Sequence, residues 1–307
     1  MRVAVTGGCG FIGSHVVDHL VAAGHEVHVI DKRERWRNPK ASYVIADVFD
    51  EPALGAALSG CDVVFHLAGA ANVNDVAADP VSSVRLNVEG VARVLDAARH
   101  GRCGRVVLAS TVWVYGATVG NGELTEDAPV DVTRPGHLYV STKLAAEMLM
   151  RSYLEMYDQE VTTLRYGIPY GPRMREALVI ARFVRAARDG EPIMIAGTGE
   201  QQRNVVYVED LAEAHVLTLT PGAGNQTIAL EGDTPVSVNE IAETVQHLLR
   251  PDERVPVIYT DGRAADYQGA AVSNQRAKDV LNWSPTTTLA EGIRRYLSWL
   301  DTQRGGQ

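Results

Sequence analysis

The chain has 307 residues, of which 46% are hydrophobic and 22% charged. This is the composition of a folded globular protein and excludes a disordered or fibrous one. The length allows one large α/β domain with a smaller partner. A formal net charge of −9 argues against a nucleic-acid surface, and no apolar run reaches the ~18 residues of a membrane span.

Residues 2–6 form a short β-rich run. A glycine cluster follows, then an apolar pattern at helical spacing that stops at Gly24. Further strands are expected at 26–30, 42–45, 62–67, 105–109 and 161–165, with helices at 81–99 and 139–158. Strands alternating with helices predict an α/β fold, a parallel sheet with helices on both faces. Segment 166–175 is rich in Gly, Pro and Arg and reads as a loop. A helix at 176–189, a strand at 192–195, helices at 237–249 and 288–300, and a frayed end at 302–307 complete the pattern. The expected division is a first domain over 1–167, with a return of the chain around 204–230. A smaller mixed α/β domain is then built from 168–203 and 231–307. The opening MRVAVTGGCGFIG has too short an apolar core for a secretory signal. Cys9, Cys61 and Cys103 make neither a disulfide framework nor a metal knuckle, so a reducing cytoplasm and no metal are expected.

Gly7, Gly10 and Gly13 lie between the first strand and the first helix. Gly7 permits a tight turn, Gly10 a close approach of backbone to a pyrophosphate, and Gly13 close packing of helix on sheet. The helix N-terminus then offers free N–H groups to phosphates. Phe11 and Ile12 belong to the same loop. This arrangement predicts a Rossmann-type dinucleotide domain. Asp31 closes the second strand. There it either caps the strand or accepts hydrogen bonds from the adenosine ribose, which favours NAD over NADP. Lys32 and Arg33 pull the other way. Asp47 and Val48, at the end of the third strand, are expected at the adenine.

Tyr139 and Lys143 stand four apart, on one face of the expected helix. The ammonium is expected to stabilise the phenolate, so that the tyrosine takes a proton from a substrate alcohol as hydride leaves for the nicotinamide. Ser110 and Thr111 end the fifth strand, where small-molecule sites of such sheets lie. A hydroxyl there holds the reacting oxygen or caps a turn.

These motifs, with HLAG at 66–69, NVEG at 87–90, STVWVYG at 110–116, YGPR at 170–173 and RNVVYVED at 203–210, carry a resemblance. So do GRAADY at 262–267 and the segment LNWSPTTTLAEGIRRYLSWL near the end. The chain resembles the extended short-chain dehydrogenase/reductase family in its NAD-dependent sugar-nucleotide epimerase/dehydratase branch, and most of all its UDP-glucose and UDP-glucuronate 4-epimerases. The resemblance implies that Thr111 binds the reacting hydroxyl, that Tyr139 is the base, and that Lys143 also holds the nicotinamide ribose. It places His66, Leu67, Ala68 and Gly69 beside the cofactor, with Asn87 supporting the sheet edge and Ser110, Tyr166 and Pro169 near the nicotinamide. Ala70, Val112, Trp113, Ile168, Arg175 and Asp266 fall on the substrate side. Arg203 and Arg263 fall on its diphosphate, which a guanidinium fork suits.

The chain departs from the family where Ile168 replaces a common Asn and where Asn204 replaces a common Asp. His137 and Trp113 either shape the sugar pocket or serve packing. Relatives that eliminate water carry an Asp–Glu pair just after the Ser/Thr, and those that decarboxylate carry a Glu at the second of these positions. Val112 and Trp113 stand there instead, so inversion at C4 of a UDP-hexose or UDP-hexuronic acid is expected, with a lean to the latter. The alternatives are a net oxidoreductase and a non-catalytic dinucleotide sensor. A homodimer paired through helices near 85–99 and 139–158 is implied, with neither nucleic acid nor membrane as a partner.

Overall fold

The computed structural model describes residues 1–116, 123–262 and 272–305. Arg263 and Asp266 lie outside the described residues. The first half alternates β1 (Arg2–Thr6), α1 (Phe11–Ala22), β2 (Glu26–Asp31), β3 (Ser42–Ile45), α2 (Glu51–Leu58) and β4 (Val63–His66). After α3 (Val73–Ala78), α4 (Pro80–Val84) and α5 (Gly90–His100) come β5 (Arg105–Thr111), α6 (Leu138–Tyr157) and β6 (Glu160–Tyr166). The second half holds β7 (Ile168–Tyr170), α7 (Val179–Asp189), β8 (Ile193–Ala196), β9 (Gln202–Arg203), β10 (Val205–Tyr207) and α8 (Val208–Leu217). It ends with β11 (Thr227–Leu230), β12 (Val236–Ser237), α9 (Val238–Leu249), β13 (Val257–Thr260), α10 (Gln275–Leu281) and α11 (Leu289–Gly305).

Seven parallel strands run in the order β11-β6-β5-β4-β1-β2-β3. The central strands read as unbroken apolar runs because both faces are covered; Val3, Ala4 and Val5 have no exposed surface. One face is packed by Val16 and Leu20 of α1 and Leu211 and Ala214 of α8. The other is packed by Leu54 and Leu58 of α2, Val94 and Leu95 of α5, and Ala146 and Met150 of α6. A separate core joins Phe183 and Val184 of α7, Ile195 of β8, Ile241 and Val245 of α9, and Ile293 and Tyr296 of α11.

The chain rejoins the large sheet through α8 and β11, within the stretch where a return is expected. It does so again at 275–283, where the sequence places the second domain. Ala277, Leu281 and Trp283 pack into the first core, and the Trp283 indole donates to the Asp210 carbonyl at 2.9 Å. One expected element differs. The 166–175 loop contains β7, paired in parallel with β10; Pro169 is tolerated because such a two-stranded ribbon asks few N–H donors of it. The C-terminal end holds helix as far as Gly305. The helix expected over 81–99 runs from Pro80 to His100 but widens into a π-turn at Arg85–Glu89, a feature common at functional sites. Among the described residues no helix is long and apolar enough to cross a membrane.

Candidate active site

The order of strands reverses at β1, which lies between β2 and β4. Connections leave in opposite directions there and open a crevice at the C-terminal strand ends. Gly7 turns the chain with φ +75°, and a Cβ on it would come 2.6 Å from the Ala68 nitrogen. A Cβ on Gly13 would come 2.2 Å from the Gly7 carbonyl oxygen. Glycine is therefore required at both. Gly10 caps α1 without a side-chain hydrogen bond, which leaves the first-turn N–H groups for an anion. Gly7, Gly10, Asp31, Lys32, Asp47, Val48, Leu67, Ala68 and Gly69 line one cleft. Asp31 is oriented by the N–H groups of Cys9 at 2.9 Å and Arg33 at 3.0 Å. Lys32 lies 3.6 Å from Asp47, so the cation that spoke for a 2′-phosphate already has an acid partner. Phe11 and Ile12 face this cleft through the backbone N–H groups of the first turn, while the Phe11 side chain packs on the C-terminal core and that of Ile12 beneath the sheet.

Across the cleft, Asn87 projects inward from the π-turn. Its amide accepts from the Ala70 N–H at 2.7 Å and donates to the Ala70 carbonyl at 2.9 Å and to Thr142 at 3.0 Å. It therefore ties the loop after β4 to α6 rather than supporting the sheet edge. A Cβ on Gly69 would meet the Asn87 amide oxygen at 3.1 Å and the Lys143 nitrogen at 3.6 Å. The cofactor wall and the Tyr–Lys helix thus meet at this glycine. His66 is buried, shares a proton with Thr6 at 2.7 Å and is held neutral, its pKa pushed down to about 3 by burial and then by Lys143.

Tyr139, Lys143 and Thr111 are brought together, each less than a tenth exposed. The Thr111 hydroxyl lies beside the Tyr139 phenol and favours its ionised form. Lys143 donates to the Ala109 carbonyl at 2.8 Å and sits 6.0 Å from the tyrosine ring centre. Burial lifts Tyr139 to about 12, opposed by the Thr111 hydroxyl and the Arg175 guanidinium. Burial likewise lowers Lys143 to about 8, against the pull of Glu147. Trp113 meets Tyr139 edge-on at 6.4 Å, and His137 stacks on Tyr139 at 6.0 Å. Both aromatic rings therefore line the reactive phenol.

Three expected site residues, Val112, Ser110 and Tyr166, turn their side chains to other partners. Val112 is buried with Val114, Tyr115 and Leu124, so its side chain serves the core and not a substrate pocket. Ser110 donates to Glu147 at 2.5 Å, which directs its hydroxyl behind the site. The Tyr166 phenol is held by His215 at 2.6 Å. Ile168 and Pro169 lie on β7, and Arg203 on β9, paired with Val236. Arg175 is exposed. Sequence reasoning missed the support beneath the site: Arg165 is paired to both oxygens of Glu147, at 3.1 and 2.7 Å, and donates to Tyr115 at 2.9 Å. The signal was present in Glu147, four residues past Lys143 on the same helical face.

The model of the NAD dependent epimerase/dehydratase family matches residues 3–230. The chain belongs to this family. It is 32% identical to a UDP-glucose 4-epimerase of Mycolicibacterium smegmatis, with 96% of this chain and 97% of that protein covered. The UDP-glucose 4-epimerase of Thermotoga maritima, solved with UDP-glucose, superposes with a TM-score of 0.90 at 29% identity, over 99% of this chain and 100% of that one. MoeE5, solved with UDP-glucuronic acid and NAD, gives 0.90 at 31% identity over the same shares. The cleft fits the family's dinucleotide. Its two obligatory glycines leave space for a pyrophosphate, its uncapped helix start faces that space, and Asp31 stands oriented at the strand end beside the loop.

Proposed function

We propose that this member of the family inverts C4 of a nucleotide sugar, a UDP-hexuronic acid or UDP-hexose, with NAD retained through the cycle. The Thr111–Tyr139 contact beside the dinucleotide cleft carries this reading, together with the side chains that follow Thr111. NAD held in the cleft would supply a reversible hydride acceptor. Tyr139 takes the proton of the sugar hydroxyl and returns it. Thr111 orients that hydroxyl, and Arg175 adds positive field that favours the phenolate. Lys143 holds the nicotinamide ribose, and Arg203 with Arg263 meets the diphosphate. Val112 faces the core and Trp113 is aromatic, so no carboxylic acid stands at either position to drive loss of water or carbon dioxide. Oxidation at C4 then has one easy fate, reduction from either face.

The expected product has the mass of its substrate. Holoprotein incubated with UDP-glucose or UDP-glucuronic acid, without added reductant, should give stereoisomers by combined mass and NMR analysis. Loss of water or of carbon dioxide, or stoichiometric release of NADH, would overturn the reading.

The cofactor choice is tested at Asp31. Asp31→Asn removes the charge and, because the Cys9 and Arg33 amides bond to different carboxylate oxygens, one of the two acceptors as well. It should weaken NAD by about tenfold, the scale of one charge-assisted hydrogen bond, and strengthen NADP. Calorimetric titration of stripped protein reads both; NADP binding tighter than NAD in the unmutated protein would sink the assignment. A homodimer fits the exposed apolar side chains of Val81 on α4 and of Met148, Met156 and Tyr157 on α6. The three buried free cysteines fit a cytoplasmic setting.

A further inference from the structure

Glu231 follows β11 at the edge of the large sheet and is 3% exposed. Among the described residues no cation forms a salt bridge with it. Its carboxylate instead accepts from the Asn204 side-chain amide at 2.9 Å and from the Val272 backbone N–H. Its own backbone exchanges two hydrogen bonds with Asn274, at 2.9 and 2.8 Å. Asn204 in turn accepts from the Ile168 N–H at 3.2 Å through its backbone carbonyl. A Cβ on Gly167 would come 3.0 Å from Glu231 Cγ and 3.1 Å from that same carbonyl oxygen. Burial pushes the Glu231 carboxyl up to about 8, with Glu123 adding to the rise. Asp233 faces the same cluster, bound by Asn274 at 2.8 Å and 3.8 Å from Lys278.

Three chain segments converge on this one carboxylate: Gly167–Ile168, the residue after Arg203, and Val272, which closes the stretch that carries Arg263 and Asp266. These hold the residues assigned above to the substrate, so the inference rests on that reading. We propose that Glu231 and Asn204 form a polarity-matched lock that positions the substrate-binding segments against the sheet, with the oxygen of Glu231 matched by an amide donor at 204. Both are positioning residues. The Glu231 oxygen that faces position 204 is an acceptor, so the buried partner there has to donate. Asn supplies the donor. With Glu231 ionised, as at pH 8.5, an Asp at 204 would set two acceptors 2.9 Å apart out of water. This accounts for the amide at 204, one of the two departures from the family pattern.

The lock predicts a polarity-reversed rescue. When Asn204→Asp is combined with Glu231→Gln, the new amide at 231 donates to the new carboxylate at 204. The amide oxygen at 231 still accepts from Val272. Holoprotein carrying Asn204→Asp alone should show a KM for the nucleotide sugar raised by about tenfold at pH 8.5, with kcat changed by less than about threefold, the pattern of lost ground-state binding. Amide hydrogen exchange at Ile168 and Val272 should quicken in parallel. The double variant should return both readouts to near the starting values, which a mere loss of fold stability would not do. A single variant that behaves like the unmutated protein, or a double variant as impaired as the single, overturns the lock. Absence of isomerisation in the unmutated protein would instead overturn the proposed function, and the exchange rates would still decide the lock.

Discussion

Tyr139→Phe is expected to lower kcat by at least ~100-fold, the size of a lost general base. The fold and the bound NAD should be unaffected. The ring keeps its stacking on His137 and its edge contact with Trp113, and only the hydroxyl beside Thr111 is removed. Because burial lifts this phenol to about 12, its deprotonation depends on the positive surroundings it meets when the site is assembled. Initial rates of isomer formation, with NAD content measured on the denatured protein, make the test. A rate within about threefold of the unmutated enzyme would remove Tyr139 from the proton transfer.

The second large effect lies behind the site. Glu147→Ala should cost ~3–5 kcal/mol of stability, because it leaves the Arg165 guanidinium buried without its acid. Arg165 is 7% exposed and is paired to both Glu147 oxygens. The same change strips Ser110 of its acceptor and Lys143 of the carboxylate that supports its charge. Urea unfolding of the two proteins at neutral pH would measure it. Removing both partners, Glu147→Leu with Arg165→Met, should recover much of the loss, since the desolvated charge goes as well. A single-variant loss below ~1 kcal/mol would show the pair to be no more than a surface ion pair in effect.

The large sheet and its cofactor cleft were legible because their causes are local. Glycines at fixed spacing, apolar runs such as Val3–Val5 and the four-residue step from Tyr139 to Lys143 each impose a geometry that neighbouring residues decide. What stayed hidden depends on partners distant in sequence. Ser110 looked like a site hydroxyl until Glu147, 37 residues on, proved to be its acceptor. Val112 reads as a pocket residue only while the turn at 112–115 is unknown; that 3₁₀ turn sends it into the core and leaves Trp113 beside the phenol. The return of Trp283 to the large sheet depends on the Asp210 carbonyl, 73 positions away. Glu231 gave no sign at all, since an acid after a short apolar strand looks like any exposed turn residue.

The π-turn at Arg85–Glu89 sets how the chain tolerates changes in length. A helix rotates by about 100° per residue, so one residue more or fewer in a turn swings everything beyond it by that angle. Here the extra residue aims Asn87 at Ala70 and Thr142 while α5 keeps its apolar side on the sheet. Deleting one residue of the turn would make a more regular helix, but either Asn87 would leave the cofactor wall or Val94 and Leu95 would leave the core. A one-residue gap at this place would therefore trade the Asn87 tie to Ala70 and Thr142 against the packing of α5 on the sheet.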